Sequence, residues 1–187
     1  MRPPEAAEHA LAGAAEVVAV LDGLPESLAV ADWAARAAAR SRARLLAALV
    51  MPARWPLDLS LLTLAPMDAA DLQTRWEYAA SAGAELEALT APLAVDWELR
   101  EVLPADRTRP GALLAGAAAP VVVLPHRSDR ALLRARRRLG VPVLGVHPDL
   151  GCVAVHAGPV GAGRTPPFQR RAPFSPVQRT TRRRPPG

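Results

Sequence analysis

Two short, wholly apolar runs separated by an alanine-rich stretch constrain this chain more than any other feature. Val17-Val18-Ala19-Val20-Leu21 has no polar residue on either side of the backbone, and Arg44-Leu45-Leu46-Ala47-Ala48-Leu49-Val50 has none after its first position. That is the pattern of strands buried on both faces of a parallel sheet. Between them, Asp22-Gly23-Leu24-Pro25-Glu26-Ser27 makes a turn, with Pro25 in the first helical turn, where a proline is tolerated. The helix that follows carries Leu28, Ala31, Ala35 and Ala38 along one stripe and pairs Asp32 with Arg36 four residues on.

The rest of the chain extends this alternation. Pro52 to Pro66 has no regular period and reads as a long connection. Asp68 to Leu89 reads as a helix carrying Leu72, Trp76, Ala79, Gly83 and Leu86 along one side. From Ala94 to Val102 the period changes to two, with Val95, Trp97 and Leu99 on one face and Asp96, Glu98 and Arg100 on the other. One polar face predicts a half-exposed strand at a sheet edge. Arg109 to Ala118 reads as a short helix of small residues and Val121 to Leu124 as a fully apolar strand. Asp129 to Leu139 is a helix in which only Ala131, Leu132, Leu133, Ala135 and Leu139 can pack. Val141 to Val146 closes the pattern, and Pro142 within it points to the other edge. Strands alternating with helices predict an α/β fold with a doubly wound, Rossmann-like parallel sheet and right-handed crossovers.

Charge divides the chain. All 23 basic residues are Arg. Up to Pro148 there are 16 Arg against 17 acids, whereas the remainder holds 7 Arg and 1 Asp, so the net charge of +5 belongs to the tail. The expected layout is a flexible lead at 1–15, one domain over 16–148, and a disordered Arg/Pro-rich tail over 149–187. Within the tail, Arg182-Arg183-Arg184 offers a salt-dependent contact to nucleic acid as one reading. The single cysteine, Cys152, cannot form an internal disulfide, and Met1-Arg2-Pro3-Pro4-Glu5 has no apolar leader, so a cytoplasmic location is expected. Pro110 to Pro125 is uncharged but shorter than the roughly 20 residues a membrane span needs.

The opening unit of apolar strand, acidic turn, helix with Asp32-Trp33-Ala34-Ala35 and returning strand resembles the start of a universal stress protein domain. The resemblance implies five parallel strands in the order 3-2-1-4-5, an adenine-nucleotide-alpha-hydrolase-like arrangement. It also implies a stress-response or regulatory role. Members of the family that hold ATP carry an aspartate after the first strand, matched here by Asp22, and a G-x2-G-x9-G-[S/T] run after the fourth. This chain reads Pro125-His126-Arg127-Ser128-Asp129-Arg130 instead, with no glycine until Gly140. The expectation is a module that takes no ATP and acts through dimerisation and protein contacts. The family's dimers imply contacts at the last strand, at Val141, Val143 and Val146.

In an open parallel sheet, ligands bind outside the carboxyl ends of the strands where the winding reverses. Here that point lies between the first and fourth strands. Asp22, Gly23 and Arg127 are therefore the candidate nucleotide contacts of the alternative, an ATP- or AMP-binding sensor, because guanidinium pairs well with phosphate. No catalytic residues are expected, since His126-Arg127-Ser128 is a weak pattern for catalysis. The spacing of His147, Cys152 and His156 fits no closed tetrahedral metal site, so no metal is expected. Trp55, in the long connection, is the tryptophan best suited to a ligand or partner contact.

Overall fold

The computed structural model describes residues 3–22, 25–50, 69–102, 109–156 and 180–183. The first apolar run forms β1 (Glu16–Leu21), which pairs in parallel with β2 (Arg44–Val50) on one side and β4 (Pro120–Pro125) on the other. β2 pairs onward in parallel with β3 (Trp97–Val102), and β4 with β5 (Val143–His147). The order 3-2-1-4-5 is therefore the one the resemblance implied. Two antiparallel strands extend it: β6 (Gly151–His156) beside β5 and β7 (Thr180–Arg183) beside β3, making seven.

Alternation along β1 and β2 divides the core. Val17, Ala19 and Leu21, with Leu45, Ala47 and Leu49, face a layer made by α1 (Pro3–Leu11), α2 (Pro25–Ser41) and α3 (Ala69–Thr90). Val18, Val20, Leu46 and Ala48 face the short α4 (Pro110–Leu113) and α5 (Asp129–Leu139). α2 buries Val30, Ala31, Ala34, Ala35, Ala37 and Ala38, a wider face than the expected stripe, because small side chains let it sit close to β1. Leu28, placed on that stripe, is 47% exposed. Asp32 and Arg36 form their pair at 2.9 Å on the outer face.

α5 is shaped by its ends. Ser128 has an extended backbone and its hydroxyl accepts the Ala131 N–H at 3.2 Å, while Gly140, at φ +71°, closes the last turn with its N–H on the Arg136 carbonyl. The helix sits so close to β5 that a Cβ on Gly145 would lie 2.3 Å from Leu132 Cδ1.

Several expectations need correction. The lead-in is helical from Pro3, and Ala7 and Leu11 are buried in the core rather than mobile. The domain does not stop at Pro148. Gly151-Cys152-Val153-Ala154-Val155-His156 is another apolar run, and it supplies the ladder partners that β5 would otherwise lack. β5 is thus internal to the sheet, and Val143 and Val146, expected at an open edge, are 0% and 1% exposed within one chain. Val141 precedes the strand, in a bend that packs against the α5 side of the core. β3 is likewise covered at its edge by β7, and its polar face is buried, with Glu98 at 7% and Arg100 at 8%. The expected helix over 109–118 stops at Leu113, because Arg100 Nη1 donates to the Ala115 carbonyl at 2.7 Å and Glu16 Oε2 accepts the Ala118 N–H at 3.1 Å. Those contacts draw the chain into a turn. Trp76 is 60% exposed, so α3 packs through Tyr78, Ala79, Ala82, Leu86 and Leu89 instead. Trp55, and the expected tail outside 149–156 and 180–183, lie outside the described residues.

Candidate functional site

The crevice lies where the winding reverses, at the carboxyl ends of β1 and β4, on the α5 side of the sheet. Asp22 directly follows β1, β4 ends in Pro125, and the turn into α5 carries Arg127. The structure brings two of the three expected residues together: Arg127 Nη2 meets Asp22 Oδ2 at 2.8 Å across the crevice mouth. The third, Gly23, lies outside the described residues.

A serine absent from the sequence-based site completes the cluster. Ser27 Oγ, in the first turn of α2, accepts the Asp22 N–H at 3.0 Å and donates to Asp22 Oδ1 at 2.5 Å. Each oxygen of the Asp22 carboxylate therefore has a hydrogen-bond donor from this chain. The signal was legible in principle. A hydroxyl five residues beyond a strand-end aspartate, on the far side of a tight turn, returns to that carboxylate when the helix begins at Pro25.

Behind the ion pair the crevice is apolar. Val20, Val50, Leu124, Leu132 and Ala135 wall a cleft of about 210 Å³. Three described backbone positions of its rim offer no free donor. Pro125 has none, the His126 N–H donates to the Val146 carbonyl at 2.8 Å, and the Ala131 N–H is held by the Ser128 cap. His126 Nε2 lies 3.0 Å from Asp129 Oδ1. The Ser128 hydroxyl, the one nucleophile beside a histidine in sequence, serves the cap.

The other constellations separate in space. The β5–β6 register places His147 opposite Gly151 at one end of the ladder and His156 opposite Val143 at the other, with Cys152 between. Burial pushes the Cys152 thiol up, opposed in part by hydrogen bonding with the Ala154 backbone. Among the described residues no helix is long and apolar enough to cross a membrane.

A polar cluster occupies the opposite, amino-terminal end of the sheet, and it includes the Asp96, Glu98 and Arg100 face that was expected to be exposed. Arg44 contacts Glu16 at 3.4 Å, Asp96 at 3.7 Å and Glu98 more closely still, and Arg100 Nη2 donates to Glu98 Oε1 at 2.8 Å. Burial pushes the Glu98 carboxyl up, but the hydrogen bond and charge of Arg100, with those of Arg44, outweigh it and hold the group below the usual carboxylate range.

No family model and no curated protein matches the sequence. Five chains of known structure do match, among them two from universal stress proteins. One is a universal stress protein in complex with cAMP, at 22% identity over 72% of this chain and 98% of that one, with a TM-score of 0.45. The other is a protein from the universal stress protein family from Burkholderia pseudomallei, at 20% identity over 71% of this chain and 95% of that one, with a TM-score of 0.49. The chain is similar to universal stress proteins.

Proposed function

We propose that this chain is a stress-response or regulatory module of the universal stress protein type that takes up no ATP and acts through contacts with other proteins, without catalysis of its own. The observation that carries the reading is the Asp22–Arg127 ion pair across the crevice mouth. A nucleotide would have to part that pair, displace the Ser27 hydroxyl from Asp22, and find its phosphate donors at a rim where Pro125 has none and His126 is committed. The cleft, at about 210 Å³, is also smaller than the roughly 300–1,000 Å³ of pockets that bury drug-sized ligands.

The competing reading is a nucleotide sensor in which Arg127 swings from Asp22 to a phosphate. Its support is that Arg127 is 62% exposed, so its guanidinium can leave the carboxylate without dismantling the core. Thermal unfolding with millimolar ATP, AMP or cAMP separates the two. The expected outcome is no saturable rise in melting temperature. A saturable rise that is lost in Asp22→Ala establishes the sensor instead.

Self-association remains part of the proposal, with a changed contact. Two copies meeting on this side of the sheet would do so through β6, because β6 already covers β5 and its Val143 and Val146. Sedimentation of the full chain tests it, a monomer at micromolar concentration removing that part. The lone cysteine suits a reducing, cytoplasmic setting.

A further inference from the structure

A second pocket lies on the other face of the sheet. Leu21 and Leu49 are one residue out of phase with Val20 and Val50, so they point away from the crevice and toward α2 and α3. There, together with Ala31, Ala82, Leu86 and Leu89, they wall a cavity of about 280 Å³. Three hydroxyl-bearing residues, Ser27, Tyr78 and Ser81, and one carboxylate, Glu85, line it, and among the described residues no basic side chain does.

The polar groups are arranged for a guest. The Tyr78 hydroxyl is buried and has no hydrogen-bond partner among the described residues, a state that costs stability unless something fills it. Burial, then the carboxylates of Asp22 and Glu85, raises the Tyr78 phenol above its ordinary range, so both acids are felt inside the pocket. The Ser27 Oγ–H is donated to Asp22, which leaves the serine an acceptor toward the cavity. Apolar walls, oxygen acceptors and negative charge together exclude phosphates and carboxylates and favour a hydrogen-bond-donating cation. The volume sets the scale. It falls just under the roughly 300 Å³ lower limit for drug-sized ligands, so the guest is of fragment size.

We propose that this pocket between α2 and α3 binds a small organic cation, an aromatic or aliphatic body bearing a protonated amine, with the amine directed at the Tyr78 hydroxyl and Glu85. The site is separate from the crevice and does not depend on whether the crevice takes a nucleotide. Ser27 joins the two, since it lines the pocket and holds the Asp22 carboxylate that pairs with Arg127. Occupancy would therefore bear on the ion pair at the crevice mouth.

Amide NMR titration of the full chain with phenethylamine tests this, with 2-phenylethanol and phenylacetate as the neutral and anionic counterparts. Saturable shifts are expected at Ser27, Ala31, Tyr78, Ala82 and Leu86, with the amine binding more tightly than the alcohol and the acid most weakly. Glu85→Gln should weaken the amine about two- to fivefold and leave the alcohol unchanged, as for an exposed charge contact. Tyr78→Phe should weaken amine and alcohol alike by about threefold or more. Ala82→Phe, which fills the cavity, should abolish both responses while the spectrum stays that of a folded chain. The proposal falls if phenethylamine gives no saturable shift, if amine and acid bind equally, or if the shifts centre on Arg127 and Ala131. Nucleotide-induced shifts at Arg127 would instead count against the ATP-free reading alone, so the two failures are distinguishable.

Discussion

The two ends of this sheet use the same residue types to opposite effect. At the amino-terminal end, Glu16, Arg44, Asp96, Glu98 and Arg100 sit on or beside the strands themselves, and no side chain among them is more than 30% exposed. At the carboxyl end, Asp22 and Arg127 sit on the turns that follow the strands, and Arg127 is 62% exposed. A charge on a strand cannot leave without disturbing the ladder, so it must be satisfied where it stands. A charge on a turn can exchange partners. The amino-terminal cluster therefore belongs to the architecture, and the carboxyl-terminal pair to whatever the molecule does.

The largest effect expected from this contrast is at Glu98. Glu98→Ala leaves Arg44 and Arg100 buried with a carboxylate missing and should cost about 3–5 kcal/mol in urea unfolding. Replacing the buried pair together, as Glu98→Met and Arg100→Met, leaves Arg44 its contacts with Glu16 and Asp96 and should recover much of that loss, because desolvation offsets most of the attraction in a buried pair. If the single and the combined replacements cost the same, the network is not a unit and the contrast fails.

Acid titration sharpens the same point. The Glu98 carboxyl is held below its ordinary range when folded, so its contribution is present above that range and is lost as pH falls through the folded value. Stability of the wild type should decline through that acidic window, and Glu98→Gln should show a flatter profile there.

Between the extremes stands the Ser128 cap, which orients α5 beside the crevice. Ser128→Ala should cost about 1 kcal/mol by thermal unfolding. Smallest is the crevice pair itself. Arg127→Ala should change stability by at most about 1 kcal/mol, and less as salt is raised. A loss comparable to that of Glu98→Ala would show that the two ends do not differ in kind.

Much of the fold was legible because its signals are local. The apolar runs at 17–21 and 121–124 need no partner to declare themselves as buried strands, and Asp129 to Leu139 was bounded correctly by its apolar spacing and by Gly140. The bounds of β5 slipped by two residues because Val141 and Pro142 look like strand but make a bend. Trp76 was misplaced because α3 has nearly as many small apolar residues off its packed face as on it.

The candidate site was legible only as two separate residues. Asp22 follows from the end of a strand and Arg127 from the start of a helix, but 105 positions lie between them, and only the parallel pairing of β1 with β4 makes them neighbours. Tyr78 carried no chemical signal in the sequence and Ser27 only its five-residue spacing from Asp22, since a hydroxyl acquires a role from what is packed against it.

By itself, the order of residues determined the five parallel strands and the longer helices between them, because period and hydrophobicity act over a few residues. Tertiary structure alone decided that the polar face of β3 is buried, that β6 rather than β5 ends the sheet, and that Asp22 closes on Arg127. Each of those outcomes depends on a partner distant in sequence, whose charge or backbone edge is brought within reach only when the sheet assembles.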